Sequence, residues 1–118
     1  MLVYQIIDNA TKEVYIGSTT STLAARLEGH QKSCGLYAQG LIPKKPSAAF
    51  DIFQRGDFTA SELETVPGDK NDLLRRERYH TLNRPCVNLY LPGTRAKLSD
   101  VKGRWREPRF VGDAFITN

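Results

Sequence analysis

Two apolar stretches near the N-terminus, separated by a polar one, predict a β-hairpin. Residues 2–7 and 12–17 are rich in Val, Ile and Tyr, and they flank the polar segment DNAT. With a four-residue loop, Tyr4 lies directly opposite Tyr15, and both rings leave the sheet on one face. A five-residue loop would place the two rings on opposite faces.

A segment whose apolar residues have helical spacing follows the hairpin. The segment STTSTLAARLEGHQKS offers several hydroxyl side chains as N-caps, and it predicts a helix that ends at about Ser33. Its apolar stripe consists of Leu23, Ala24 and Leu27. Arg26 and His30 are four residues apart, so they align along one edge of this stripe.

The middle of the chain combines a loop, a short helix and a strand. The segment GLYAQGLIPKKP contains turn-forming Gly and Pro residues, and its apolar positions show no regular spacing. It therefore predicts an exposed loop that carries Lys44 and Lys45. A short helix is predicted to begin with Ser47 as its cap and to end at Gly56. The segment FTASELETV predicts a third strand.

A second long helix is predicted from Asp69 to about Asn83, with the acidic residue at its N-terminus. Glu77 lies angularly between the apolar anchors Leu73 and Leu74. A carboxylate on an apolar helical face is costly unless it is compensated. We therefore expect a group outside this helix to satisfy Glu77.

The pattern as a whole predicts an α+β fold, with a small three-stranded, mainly antiparallel sheet flanked by helices. Residues 1–90 are expected to form the main domain, and residues 91–118 a basic C-terminal extension. The apolar positions of this extension show neither helical nor strand periodicity. The sequence leaves open whether the part around Trp105 is a short helix wrapped on the domain or a mobile arm.

Composition narrows the class of protein. The formal net charge of +4 suits a polyanionic partner, and the extension alone has six basic against three acidic side chains. No apolar run is long enough to span a membrane and no signal peptide precedes the first strand, so we expect an intracellular protein of the cytoplasm or nucleus. Cys34 and Cys86 lack the partners of a zinc site or a disulfide framework.

These features together resemble the GIY-YIG nuclease family over residues 2 to about 90. The residues that carry the resemblance are Tyr4, Tyr15-Ile16-Gly17, Arg26, His30, Glu77 and Asn88. One half-motif departs from the family, because LVY stands where the family has GIY. Leu2 in the place of glycine adds bulk at the start of the strand.

The resemblance implies an endonuclease that hydrolyses a phosphodiester bond with one Mg²⁺ or Mn²⁺ ion held by Glu77. A tyrosine would act as the general base. We assign this role to Tyr4 and the positioning of water or phosphate to Tyr15, although the roles can be exchanged. Arg26 would clamp the phosphate, and His30 would contact phosphate or shuttle the proton.

The expected partner is DNA, duplex or branched, bound with little sequence specificity and without a membrane. The residues expected to contact phosphates are Lys44, Lys45, Arg75, Arg76, Arg78, Arg104 and Arg106. The oligomeric state is open, and a restriction enzyme is compatible if the chain dimerises. The alternatives are a catalytically inactive nucleic-acid-binding module on the same scaffold and a domain whose basic tail binds an acidic protein.

Overall fold

The computed structural model describes the backbone of residues 1–111 and 114–117 and the side chains of residues 1–107. The elements in chain order are β1 (Leu2–Asp8), β2 (Val14–Thr19), α1 (Leu23–Ala38), α2 (Phe50–Arg55), β3 (Phe58–Thr65), α3 (Lys70–Asn83), α4 (Leu98–Val101), β4 (Pro108–Val111) and β5 (Ala114–Thr117). The predicted α+β fold is confirmed, with an antiparallel sheet of order β2-β1-β3. No helix in the described part of the chain combines the length and apolarity needed to cross a bilayer.

The hairpin register differs from the prediction. Tyr4 lies opposite Gly17, and Tyr15 lies opposite Ile6, so the two tyrosines are diagonal neighbours instead of a direct pair. The shift is an even number of residues, which preserves the side-chain alternation of the strands. The expectation that both rings share one face is therefore correct, although their direct pairing is wrong.

The loop causes this shift because it spans residues 8–13 instead of four residues. Asp8 is fully buried, and its carboxylate accepts hydrogen bonds from the backbone N–H groups of Ala10 and Thr11. Lys12 then turns the chain with a φ of 67°. A side-chain-supported turn of this kind competes with a tighter hairpin, and here it sets the register.

Helices pack on both faces of the sheet, as predicted. The cluster on the face covered by α3 consists of Val3, Ile16, Val66 and Leu73. The cluster on the face covered by α1 and α2 consists of Tyr4, Ile6 and Ile52. A register shift between Val3 and Tyr4 bends the pairing of β1 with β3, and such bulges often re-aim side chains beside active sites.

Two helix boundaries differ from the predictions. Helix α1 continues past Ser33 to Ala38, because Tyr37 packs edge-on against Phe50 of α2 with ring centroids 5.0 Å apart. Helix α2 begins at Phe50 because Ser47 accepts the N–H of Ala49 in a turn before the helix. Its end at Gly56, with a φ of 73°, is as predicted.

The beginning of α3 also follows the prediction. Asp69 caps the helix by accepting the N–H groups of Asn71 and Asp72, and Asp72 accepts the N–H of Asp69 in return. This reciprocal capping box fixes the first turn. The helix that carries Glu77 therefore has a well-defined start.

The C-terminal extension contains the short helix α4, which ends at Val101, so the part around Trp105 is not helical. Leu91 and Leu98 are buried, and α4 begins at Leu98. Glu107 forms a bidentate hydrogen bond with Arg78 of α3 at 2.7 and 2.9 Å. Strands β4 and β5 pair as an antiparallel hairpin, and residues 112, 113 and 118 of the extension lie outside the described residues.

Gly17 is required by the packing of Tyr4. A Cβ atom at position 17 would lie 2.5 Å from Tyr4 Oη and 2.6 Å from Tyr4 Cζ. Real Cβ atoms do not approach other atoms so closely, and Tyr4 is completely buried, so its ring has no space to move aside. The glycine that follows Tyr15 and Ile16 thus makes room for the tyrosine of the neighbouring strand.

We expect Gly17→Ala to lower the free energy of unfolding by about 1–3 kcal/mol, because the added methyl group overpacks the site. The measurement is urea unfolding followed by circular dichroism. Gly29→Ala is the matched control. Gly29 lies inside α1 with no atom within 4 Å of an added Cβ, so this change should stabilise the protein by about 0.5–1 kcal/mol. Equal stability of the Gly17→Ala variant and the parent would contradict the packing argument.

Candidate active site

His30 of α1 lies in an aromatic cluster on the face of the sheet that α1 and α2 cover. The Tyr4 hydroxyl lies 2.7 Å from His30 Nε2. The ring of Tyr15 meets the imidazole edge-on at 5.7 Å, and the ring of Phe53 stacks on it at 5.4 Å. His30 is buried within this cluster, so the structure brings together both tyrosines and the predicted histidine.

Burial sets the protonation of these groups. Desolvation raises the pKa of Tyr4 and of Tyr15 above the usual value for a phenol, although the charge of Arg26 opposes this shift. Desolvation, helped by Arg26, lowers the pKa of His30 to about 4. At neutral pH the imidazole is therefore uncharged, and its Nε2 atom shares one hydrogen bond with the Tyr4 hydroxyl. His30 thus supplies no positive charge to stabilise a phenolate.

Glu77 finds the external partner that the sequence predicted. Its carboxylate on α3 accepts a hydrogen bond from the hydroxyl of Ser18 on β2. None of the ion pairs formed by the described residues includes Glu77. Burial raises the pKa of this carboxyl, while the Ser18 hydrogen bond and the charges of Arg26 and Arg78 lower it.

The surroundings of Glu77 fit a hard divalent cation. A partly buried carboxylate with a neutral hydroxyl as its neighbour retains a negative charge that a cation can compensate. Mg²⁺ and Mn²⁺ prefer oxygen ligands, and Mg²⁺ is commonly bound by one or two carboxylates with water and phosphate completing the shell. No group of three or more His, Cys, Asp or Glu side chains suited to a metal occurs among the described residues. Glu77 would thus be the protein ligand.

Arg26 lies on the exposed side of the first turns of α1. Its guanidinium nevertheless acts on the site, because its charge lowers the pKa of Tyr4, Tyr15 and Glu77. The negative charge of Glu77 in turn raises the pKa of both tyrosines. These mutual effects place the four side chains around one centre.

A cleft of about 510 Å³ opens beside this centre. Tyr15 and Glu77 line it together with Asn88, and Lys44 and Lys45 line it from the loop between α1 and α2. The other lining residues are Pro46, Ser47, Ala48, Leu89, Tyr90 and Pro92. The predicted exposed lysines thus lie beside the predicted catalytic groups.

Asn88 uses its side chain to hold the edge of the sheet. Its amide oxygen accepts the N–H of Ile16 at 3.0 Å, and its amide nitrogen donates to the carbonyl of Ile16 at 2.7 Å. The neighbouring Val87 donates its N–H to the carbonyl of Val14. Asn88 therefore continues the ladder beyond β2 and positions the strand that carries Tyr15.

The three arginines of α3 are not among the residues that line this cleft. Each is paired with a carboxylate: Arg75 with Asp72, Arg76 with Glu64 and Arg78 with Glu107. Arg75 and Arg76 line a second cleft of about 520 Å³ that contains neither tyrosine of the hairpin. Arg104 and Arg106 are exposed after α4. The phosphate-binding role of these five arginines stays a prediction.

Two features of the site were missed by the sequence analysis. Ser18 is the partner of Glu77, and the unsatisfied carboxylate indicated that a donor must exist without indicating which one. Leu89 and Tyr90 form part of the cleft wall and are exposed by 65% and 52%. The irregular segment around them has no period, so nothing in the pattern showed that they face this cleft.

Comparison with known families agrees with this geometry. A family model described as the GIY-YIG catalytic domain matches residues 1–83 of the 118. The comparisons with curated proteins and with solved structures gave no match. The matched residues include both tyrosines, Arg26, His30 and Glu77, whereas Asn88 and the Leu89–Tyr90 wall follow the matched region.

We expect the free energy of unfolding to fall as the pH is lowered from about 6.5 towards 4. The folded protein keeps His30 neutral, with its pKa lowered to about 4, whereas the unfolded chain binds a proton near the ordinary value of 6.5. The stabilisation is thus complete above pH 6.5 and is lost as the pH falls through this window.

The measurement is urea unfolding at several pH values for the parent and for His30→Gln. The variant removes the titrating group, so its stability should change less between pH 6.5 and 4.5. Parallel pH profiles of the two proteins would show that His30 does not cause the effect.

Proposed function

Because the chain belongs to the GIY-YIG family, we propose that it is a metal-dependent endonuclease that hydrolyses phosphodiester bonds of DNA. The observation that carries the proposal is the meeting of Tyr15 and Glu77 in one cleft, with Lys44 and Lys45 on its wall. Phosphodiester hydrolysis needs an activated water and compensation of the charge on the phosphoryl oxygens. The cleft offers residues for both tasks.

Glu77 would hold one Mg²⁺ or Mn²⁺ ion. A bound ion of this kind neutralises charge on the phosphoryl oxygens and orients the phosphate. Ser18 donates to the same carboxylate and thereby fixes its direction. Because α3 is capped at Asp69 and tied to the extension through Arg78, the position of Glu77 along the cleft is well defined.

A tyrosine would accept the proton of the attacking water. Tyr15 lines the cleft, whereas Tyr4 is completely buried with its hydroxyl directed to His30. This difference in exposure supports Tyr15 as the tyrosine in contact with water, and Tyr4 with His30 as the pair that orients it. The roles first assigned from the sequence are thus exchanged, as that assignment allowed.

Positive charge must lower the pKa of the Tyr15 phenol before it can act as a base. Arg26 already acts in this direction, and its fork of donors suits the equatorial oxygens of the pentavalent phosphate. Asn88 would act through β2, because both ends of its amide hold the backbone of Ile16. Lys44 and Lys45 would bind neighbouring phosphates without reading the sequence.

The departure at Leu2 does not argue for the inactive alternative. Leu2 is partly buried and packs against the apolar cluster of Tyr4, Ile6 and Ile52. It is not one of the residues that line the cleft. The Leu2 side chain therefore packs in the core and does not obstruct the cleft that Tyr15 and Glu77 line.

We expect the parent protein to nick supercoiled plasmid with Mg²⁺ or Mn²⁺ and to lose this activity with a chelator. Glu77→Gln should reduce the rate at least about 100-fold, because it removes the charge that holds the cation but keeps the size of the side chain. Conversion of supercoiled to open-circular DNA on an agarose gel measures the rate.

Glu28→Gln on the exposed face of α1 is the matched control and should cleave at the parental rate. A parent protein that retards the plasmid without nicking it under any metal would indicate the inactive binding module. Equal cleavage by Glu77→Gln and the parent would exclude the proposed role of the carboxylate.

A further inference from the structure

Two of the residues that line the cleft have exposed side chains with large apolar surfaces. Leu89 is 65% exposed and Tyr90 is 52% exposed, and both line the cleft that contains Tyr15 and Glu77. The neighbouring Leu91 is completely buried and anchors this segment in the core. The two exposed side chains are therefore not needed for the packing of the segment itself.

The backbone of this wall is held in place at both ends. Asn88 fixes one end by its two hydrogen bonds to Ile16. At the other end Leu91 donates its N–H to Ala96 at 2.9 Å, and Leu98 donates to the carbonyl of Leu89 at 2.8 Å. An exposed aromatic ring on a fixed backbone is a preorganised contact surface, because little ordering is required when a ligand binds.

The chemistry of the cleft favours a single nucleotide as the occupant. Among the lining residues, Lys44 and Lys45 supply positive charge, which suits a phosphate, and Tyr90 supplies an aromatic ring. Lys45 is also paired with Asp51 at 3.2 Å, so Lys44 is the freer of the two charges. The volume of about 510 Å³ lies in the range of pockets for small ligands. In a paired duplex the base faces are covered by their neighbours, so a tyrosine can stack only on a base that has left the stack.

We propose that Tyr90, supported by Leu89, is a stacking site for an unpaired nucleotide next to the scissile phosphate. The protein would accordingly prefer DNA with unpaired bases, such as a bulge or a splayed end, over a fully paired duplex. This inference rests on the proposed nuclease function, since it describes the substrate of the same cleft. It concerns residues beyond the region that the family model matches.

A second exposed tyrosine provides an internal comparison. Tyr79 on α3 is 50% exposed, which is close to the value for Tyr90. Its ring is covered by the guanidinium of Arg76 at 4.4 Å, and it lines the second cleft instead of the first. Tyr79 therefore has the same exposure as Tyr90 but a different location, which makes it a matched control.

The test measures the affinity for three fluorescein-labelled DNAs of one sequence: a paired duplex, the same duplex with a three-nucleotide bulge, and the single strand. Binding is followed by anisotropy in the presence of a chelator, so that no DNA is cleaved. We expect the parent to bind the bulged and single-stranded DNAs more tightly than the duplex. Tyr90→Ala should weaken binding of these two DNAs by about 5- to 150-fold, with less than about twofold effect on the duplex.

Tyr90→Trp should preserve the preference, because it retains an aromatic face, and Tyr79→Ala should bind all three DNAs like the parent. The inference is overturned if the parent binds the duplex and the bulged DNA equally, or if Tyr79→Ala loses as much affinity as Tyr90→Ala. Because binding is measured without cleavage, a protein that never nicks DNA but shows the Tyr90 effect would refute only the proposed function. A protein that nicks plasmid but shows no Tyr90 effect would refute only this inference.

Discussion

The contact between the Tyr4 hydroxyl and His30 is the interaction on which the arrangement of the site depends. It joins the central strand β1 to helix α1, and it is possible only because Gly17 leaves room for the ring. Once α1 is fixed in this way, Arg26 lies one turn before His30 and acts on both tyrosines. A buried phenol and a buried imidazole each need a polar partner, and here they satisfy one another.

The edge strand β2 explains why the site residues come from both faces of the sheet. Tyr15 and Gly17 face the aromatic cluster, whereas Ile16 and Ser18 face α3, since successive side chains of a strand alternate. Of these four consecutive residues, Tyr15 lines the cleft and Ile16 packs in the core. Gly17 leaves room for Tyr4, and Ser18 donates a hydrogen bond to Glu77. The side chains proposed for catalysis lie on opposite faces of the sheet and come together at its edge, where the cleft opens. Asn88 then occupies part of the same edge and prevents it from pairing with another strand.

The sequence predicted the parts of this arrangement that depend on local periodicity. The shared face of Tyr4 and Tyr15 followed from alternation, and the need of Glu77 for an outside partner followed from helical geometry. The hairpin register was not predictable in this way, because it depends on hydrogen bonds that the buried Asp8 carboxylate accepts from the backbone of the turn. The ion pairs of Arg76 and Arg78 were not predictable for a similar reason: their partners Glu64 and Glu107 are distant in sequence and become neighbours only in the folded chain.

The residues proposed for catalysis and those proposed for substrate selection occupy different parts of the chain. The residues proposed for chemistry, from Tyr4 to Glu77, lie within the region matched by the family model, and the wall that carries Tyr90 lies beyond it. That wall is supported by the extension through the backbone bonds of Leu91 and Leu98. A change at Ala96 or Leu98 of the extension can therefore alter the shape of this wall. The basic tail, in which the sequence offered Arg104 and Arg106 as phosphate contacts, thus also has a structural link to the wall.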